Sequence, residues 1–249
     1  MRTLRINESH SLLLNGSKYT NTMLSNSQIK KIRSLQQKKF RKEHGEFVVE
    51  GEKIVHELMQ SEYEVVGHYS TIEGDDSELI SSKELDRITG LKKGNRSIAV
   101  AKMKETFAQE VSSILLDGVN DPGNLGTIIR IADWYGIKQV ICSLDTADCY
   151  NSKVVQSTMG SLFRINVVYT DLKKYISDSK FETYAAVMDG ENVNKIEGAF
   201  NLLMGSESHG IREGLDQDAA KRVTIARKGR AESLNVGVAT GILLDRLLG

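Results

Sequence analysis

The chain has 249 residues, 40% of them hydrophobic and 27% charged, with 33 basic and 33 acidic side chains. That length can bury a substantial core in one large domain or two small ones. The balanced charge excludes a global field that would draw the molecule to anionic partners, although a local basic patch would suffice for nucleic acid.

No segment approaches the ~20 apolar residues of a membrane span. Leu12-Leu13-Leu14 is too short for a signal-peptide core, so a cytoplasmic location is expected. Cys142 and Cys149 match no zinc spacing. A disulfide between them is conceivable, and free thiols in a reducing compartment are the expectation.

Residues 1–25 are rich in Ser, Asn and Thr and read as a polar arm, either flexible or adding an edge element. Ile29, Ile32 and Leu35 then recur at helical spacing, followed by the basic cluster Lys38-Lys39-Phe40-Arg41-Lys42. A strand is expected at Phe47-Val48-Val49, a helix from Gly51 through Ile54, Val55, Leu58 and Met59, and a strand over 64–69. A helix near 82–88 and a strand near 97–101 complete a first α/β domain, assigned to 26–104, with a linker over 102–110.

The second domain, 105–249, alternates more regularly. Strands are expected near 113–116, 139–142, 167–169, 184–187, 201–204 and 222–225. Helices are expected near 124–135, 152–160, 172–179 and 211–220, with a last one over 234–248. This alternation predicts an α/β fold with a mostly parallel sheet covered on both faces.

Ligands of such sheets gather at the carboxyl ends of the strands, where three segments carry unusual chemistry. Leu115 to Arg130 runs from an apolar strand through the only proline into a helix bearing Asn124 and Arg130. Leu202 to Ile211 leads into the polar turn Gly205-Ser206-Glu207-Ser208-His209-Gly210. Val223 to Val236 passes a basic loop, Arg227-Lys228-Gly229-Arg230, to Ser233 and Asn235 at a helix start. Gly118, Gly123 and Gly126 miss the dinucleotide fingerprint, and Gly123-Asn124-Leu125 lacks the Lys-Ser/Thr of a P-loop. The turn at Gly205 is one residue too long for a nucleophile elbow.

Together these segments resemble the three motifs of the SpoU family of RNA ribose 2′-O-methyltransferases, in the SPOUT superfamily. Asp121-Pro122-Gly123-Asn124-Leu125-Gly126 with Ile129-Arg130-Ile131-Ala132 is similar to motif one. Gly205-Ser206-Glu207 with Gly210-Ile211 is similar to motif two, and Ser233-Leu234-Asn235-Val236 to motif three. Met159-Gly160-Ser161-Leu162-Phe163-Arg164 looks like a further family segment. Arg41 and Phe47-Val48-Val49-Glu50-Gly51 resemble the ribosomal-protein-like RNA-binding domain attached to many members.

The resemblance implies a C-terminal deep trefoil knot, S-adenosylmethionine held within it, a structured ribosomal or transfer RNA as substrate, a homodimer, and no metal. A non-catalytic RNA-binding or ribosome-assembly protein that keeps the fold is the alternative. Arg130 would hold the reacting ribose or phosphate, since free arginine, with a pKa of ~12 or more, is a poor base. Asn124, Glu207, Ser233 and Asn235 complete the implied catalytic set, with Glu207 orienting Arg130 or meeting the methyl donor's surroundings. Met204, Gly205, Glu207, Ile225, Ser233, Leu234 and Asn235 are the implied cofactor residues.

Plain structural readings stand beside these. Asn124, and Ser233 or Asn235, would each serve as a helix cap, and Gly205 could simply make a turn. His209 reads as a turn residue. Gly237 and Gly241 fit close helix packing or a loosely formed helix. Lys38, Lys39, Arg41 and Lys42 could hold RNA phosphates or form a solvated face, whereas Arg227, Lys228 and Arg230 border the implied pocket. Ala226 stands where the family usually has proline.

Overall fold

Capping decides where the first domain begins. The computed structural model of the protein describes residues 23–73, 76–91, 95–215, 219 and 221–249. Ser25 and Gln28 form a reciprocal capping box at the start of α1 (Asn26–Ser34). Leu24 is buried, and its amide donates to Glu84 Oε1 at 2.9 Å. The end of the expected arm therefore belongs to the domain, while residues 1–22 lie outside the described residues.

The basic cluster forms α2 (Lys38–His44), closed by Gly45 at φ 64°. There follow β1 (Glu46–Glu50), α3 (Glu52–Met59), β2 (Val65–Ser70), β3 (Glu78–Leu79), α4 (Ser82–Ile88) and β4 (Ser97–Lys102). The four strands make one mixed sheet in the order β1-β4-β2-β3. One face, with Val48, Tyr69, Ile98 and Val100, packs on α1 and α4.

The second domain comprises β5 (Ser113–Asp117), α5 (Pro122–Trp134), β6 (Gln139–Cys142), α6 (Ser152–Thr158), β7 (Asn166–Tyr169), α7 (Leu172–Asp178), β8 (Thr183–Asn192), β9 (Asn201–Gly205), β10 (Lys221–Thr224) and α8 (Val236–Leu248). Its six strands run in the order β10-β8-β9-β5-β6-β7, every described pair parallel. The chain leaves β5 toward β6 and β7, then returns to the other side through β8. The strand order reverses at β5 and β9, and such a switch point opens a crevice at the strand ends.

Period-two alternation gives each sheet face its own core. Leu116, Cys142, Leu202 and Met204 face α5, α6 and α8, whereas Leu115, Ile141 and Leu203 face α7. The first domain joins the former core through Phe47, Val49 and Tyr63. Phe47 lies 4.6 Å from Tyr150 between ring centroids, and Tyr63 lies 5.4 Å from Phe163. The two domains are thus docked through shared apolar packing.

Three expected elements differ. The helix over 211–220 is absent among the described residues 211–215, which form turns, and the rest of that span is mostly undescribed. The helix over 152–160 stops at Thr158, because Met159 (φ 51°) and Gly160 (φ 96°) turn left-handed. β8 outruns the four residues expected of it. β10 pairs with Ala185 and next with Glu191, skipping 186–190, and the skipped stretch lies over the cavity described below.

Candidate active site

Asp121 organises the turn after β5. Its carboxylate accepts the Asn124 amide at 2.9 Å and caps α5, with Pro122 at the first helical position. Asn124 is therefore not the cap, and its side chain is free to bridge. Its Nδ2 donates to Glu207 Oε1 in a short contact, and its Oδ1 accepts from Asn235 Nδ2 at 2.8 Å. Asn235 in turn caps α8, accepting the Gly237 and Val238 amides at 3.0 and 3.3 Å. One chain of side-chain hydrogen bonds thus joins the three motifs, with Asn124 at its centre.

Beside this chain lies a cavity of about 650 Å³ between the β9 turn, the end of β8 and the loop after β10. Its volume falls within the ~300–1,000 Å³ of small-molecule sites. Met204, Gly205, Glu207, Ile225, Ser233 and Leu234 line it, as do Ala226, Arg227 and Lys228. A Cβ on Gly205 would collide with the Gly210 carbonyl carbon and the Ile211 amide nitrogen. Only glycine lets the turn close here.

Asn235 stands beside the cavity without lining it, and Arg230 is exposed outside the lining. Arg130 is also outside it, exposed on α5. Among the described residues Arg130 has no hydrogen-bond or ion-pair partner. Of the two roles open to Glu207, a contact with Arg130 is not made among the described residues; Glu207 Oε1 meets Asn124 instead and the side chain lines the cavity.

Arg41 corrects the RNA-contact expectation. It is 2% exposed, and its guanidinium donates to Asp148 Oδ2 at 2.7 and 3.3 Å and to the Leu35 and Gln36 carbonyls at 2.8 and 2.9 Å. Its place on the inner side of α2 commits it to joining the two domains. Lys38, Lys39 and Lys42 are exposed on the same helix.

Gly237 has a packing role within the chain, whereas Gly241 leaves room for an ordinary side-chain contact. A Cβ at Gly237 would meet Thr127 Cγ2 at 3.0 Å, and one at Gly241 would meet Ile131 Cδ1 at 3.8 Å, so α8 lies close against α5. Cys142 and Cys149 are both buried free thiols.

The pattern of the SpoU rRNA methylase family matches residues 112–245, and that of an MRM3-like substrate-binding domain matches residues 26–113. The chain is also 32% identical over 240 residues to the 23S rRNA (guanosine(2553)-2′-O)-methyltransferase RlmP of Bacillus subtilis, covering 90% of this chain and 97% of that one. The chain belongs to the SpoU family. A solved TrmH-family structure from Porphyromonas gingivalis superposes with a TM-score of 0.80 at 32% identity, over 91% of this chain and 99% of that one. An rRNA methyltransferase from Sinorhizobium meliloti, solved with S-adenosylmethionine bound, gives 0.78 at 28% identity, over 90% and 95%.

The structure shows site residues that sequence patterning missed. Val187, Met188, Asp189 and Thr224 line the cavity, yet nothing in a strand's alternation marks them. Asp117 and Arg212 are joined at the base of the β9 turn. An acid ending an apolar strand was the one visible signal of that pair.

Proposed function

We propose that this SpoU-family chain transfers a methyl group from S-adenosylmethionine to a ribose 2′-hydroxyl of ribosomal RNA. The observation that carries the reading is the Asn235–Asn124–Glu207 chain beside a largely apolar cavity with a glycine-only wall. The donor set suits S-adenosylmethionine: Met204, Ile225 and Leu234 offer apolar surface, while Glu207 and Ser233 offer polar contacts. Bound there, this cofactor supplies an electrophilic methyl group on a sulfonium.

The protein's contribution is alignment. Asn124 is held from both sides, so its amide keeps one orientation at the head of α5. Arg130, without a hydrogen-bond or ion-pair partner among the described residues, holds a ribose or phosphate oxygen and steadies charge developing there. Lys38, Lys39 and Lys42 on α2, with Arg227, Lys228 and Arg230 beyond β10, neutralise RNA phosphates.

The same reading includes a homodimer, a deep trefoil knot and a cytoplasmic location. Trp134, one turn beyond Arg130 on α5, is 84% exposed, and a second copy would cover it. The close approach of β8 and β10 at Gly190, where a Cβ would lie 2.7 Å from the Val223 backbone, is compatible with the knot. The Ile196 amide also donates to the Leu247 carbonyl at 3.0 Å, tying α8 to the chain after β8. Ribosomal RNA is preferred over transfer RNA because the relative aligned along nearly its whole length acts on 23S rRNA.

The test is transfer of labelled methyl groups to 23S rRNA and to total transfer RNA. Label on ribose oxygens of rRNA is expected. No transfer by protein that binds S-adenosylmethionine would instead favour the non-catalytic reading.

A further inference from the structure

Asp117 ends β5 with its side chain wholly buried. A carboxylate in such a place needs a close partner, and the partner comes from ninety-five residues further on. The Arg212 amide donates to Asp117 Oδ2 at 2.7 Å, and Arg212 Nε donates to Oδ1 at 2.6 Å. Its Nη2 closes on the same Oδ1 and reaches Asp145 Oδ1 at 3.2 Å. Hydrogen bonding to Asp117 is the foremost cause raising the guanidinium pKa above its ordinary value, with the Asp117 and Asp145 charges adding to it.

The location of this pair gives it meaning. Gly205, the last residue of β9, sits opposite Asp117 in the sheet register. From Gly205 the chain turns out and back, closed by paired Ser206–Gly210 backbone hydrogen bonds of 3.0 and 2.9 Å. Arg212 follows two residues later. One leg of the turn is therefore held by the sheet, and the other by Asp117. At the tip Glu207 meets Asn124, while Gly205, Ser206, Gly210 and Ile211 form a wall of the cavity.

We propose that Arg212 and Asp117 are positioning residues: their ion pair clasps the second motif shut, shaping the cofactor wall and aiming Glu207 at Asn124. A buried ion pair is weak evidence for stability, since an apolar pair of similar volume often serves as well. What the apolar pair would lack is the fork that fixes the Arg212 main chain and side chain on one carboxylate. Holding the turn in its bound shape in advance removes the ordering cost from cofactor binding. The proposal rests on assigning the cavity to S-adenosylmethionine.

Calorimetry with S-adenosylmethionine tests it on the wild type, Arg212→Ala, Arg212→Lys and Asp117→Asn, beside thermal melts and cofactor-free RNA binding. Arg212→Ala is expected to raise the cofactor Kd at least tenfold with RNA affinity unchanged. Arg212→Lys, which keeps the charge without the fork, should fall between. Because the Arg212 side chain is about half exposed, millimolar guanidinium should enter the vacated space and restore part of the Arg212→Ala affinity while leaving the wild type unaltered. Should Asp117→Asn not fold, the Arg212 variants carry the test. A cofactor Kd within twofold of wild type in Arg212→Ala, with only the melting temperature lowered, overturns the proposal. A wild type that takes up no S-adenosylmethionine overturns the cofactor assignment along with it.

Discussion

Arg41 and Asp148, on different domains and 107 residues apart, meet at 2.7 Å with the arginine 2% exposed. The same loop supports the active-site side of the molecule. Ser143 Oγ accepts the Gly118 amide at 2.9 Å, Asp145 meets Arg212, and Tyr150 packs on Phe47. Residues 143–150 therefore bracket the strand end preceding the first motif on one side and the first domain on the other.

Breaking that pair should cost stability, with RNA contact affected only secondarily. Arg41→Met leaves the Asp148 carboxylate and two backbone carbonyls without their donor, a loss of ~3–5 kcal/mol for a buried pair. Arg41→Met with Asp148→Leu should recover part of it. Urea denaturation of both variants measures the difference, and additive losses would contradict the coupling.

Lys38, Lys39 and Lys42 should behave in the opposite way. They are exposed on the same helix, so replacing all three with Gln should leave the melting temperature within a few degrees. RNA affinity should fall, and the slope of log affinity against log salt should shrink by roughly 0.7–0.9 for each lost phosphate contact. An unchanged salt slope would return these lysines to a solvated face.

This contrast shows what the sequence could reveal. Four cations in a five-residue stretch gave no sign that Arg41 alone turns inward, because its partner is supplied by a remote loop. The parallel sheet was legible from local periodicity, and the motif resemblance marked Met204, Gly205, Ile225 and Leu234, which line the cavity. The Asn235–Asn124–Glu207 chain was not. It needs the register that sets β9 beside β5 and the packing that lays α8 on α5. The contribution of β8 was hidden for a similar reason: the five-residue skip against β10 is a matter of register between remote strands, and alternation carries no trace of it.

Arg130→Ala should abolish methyl transfer while leaving the melting temperature and the cofactor Kd within error. Among the described residues its guanidinium makes no hydrogen bond or ion pair and stands outside the cavity lining. Its removal from this exposed position therefore takes away no internal hydrogen bond among the described residues. Arg130→Lys should recover little, because a point charge cannot replace a planar fork on ribose or phosphate oxygens. Activity above a tenth of wild type in the alanine variant would remove Arg130 from its proposed role.

The buried thiols make stability fall at alkaline pH. Burial raises Cys142 well above the ordinary thiol value. Burial first, and then the nearby Asp148 charge, push Cys149 up to about 12. The unfolded chain ionises both near ~8.5. With the folded values raised, their stabilisation is complete below that pH and is lost as pH climbs toward 12. Tyr63, raised by burial to about 12, adds to the same trend. Melting temperature should therefore decline above pH 9, and less steeply in Cys142→Ala/Cys149→Ala. Neither thiol should react with Ellman's reagent at pH 8 before unfolding, and rapid reaction of the native protein would show that the sulfurs are accessible.

Glu207→Gln separates the two uses of that carboxylate. The isosteric amide can still accept from Asn124 Nδ2 through its oxygen, so the Asn235–Asn124 bond and the turn should survive. What disappears is the negative charge bordering the cavity. If the carboxylate mainly orients Asn124, kcat should fall less than tenfold and the cofactor Kd should hardly move. Asn124→Ala breaks the chain at its centre, leaving Glu207 and Asn235 without their shared partner. It should cost at least a hundredfold in kcat, on the scale of removing one positioned donor from a charge-stabilising site. Single-turnover transfer at saturating cofactor compares the two variants. A Glu207→Gln loss as large as that of Asn124→Ala would assign the work to the charge itself.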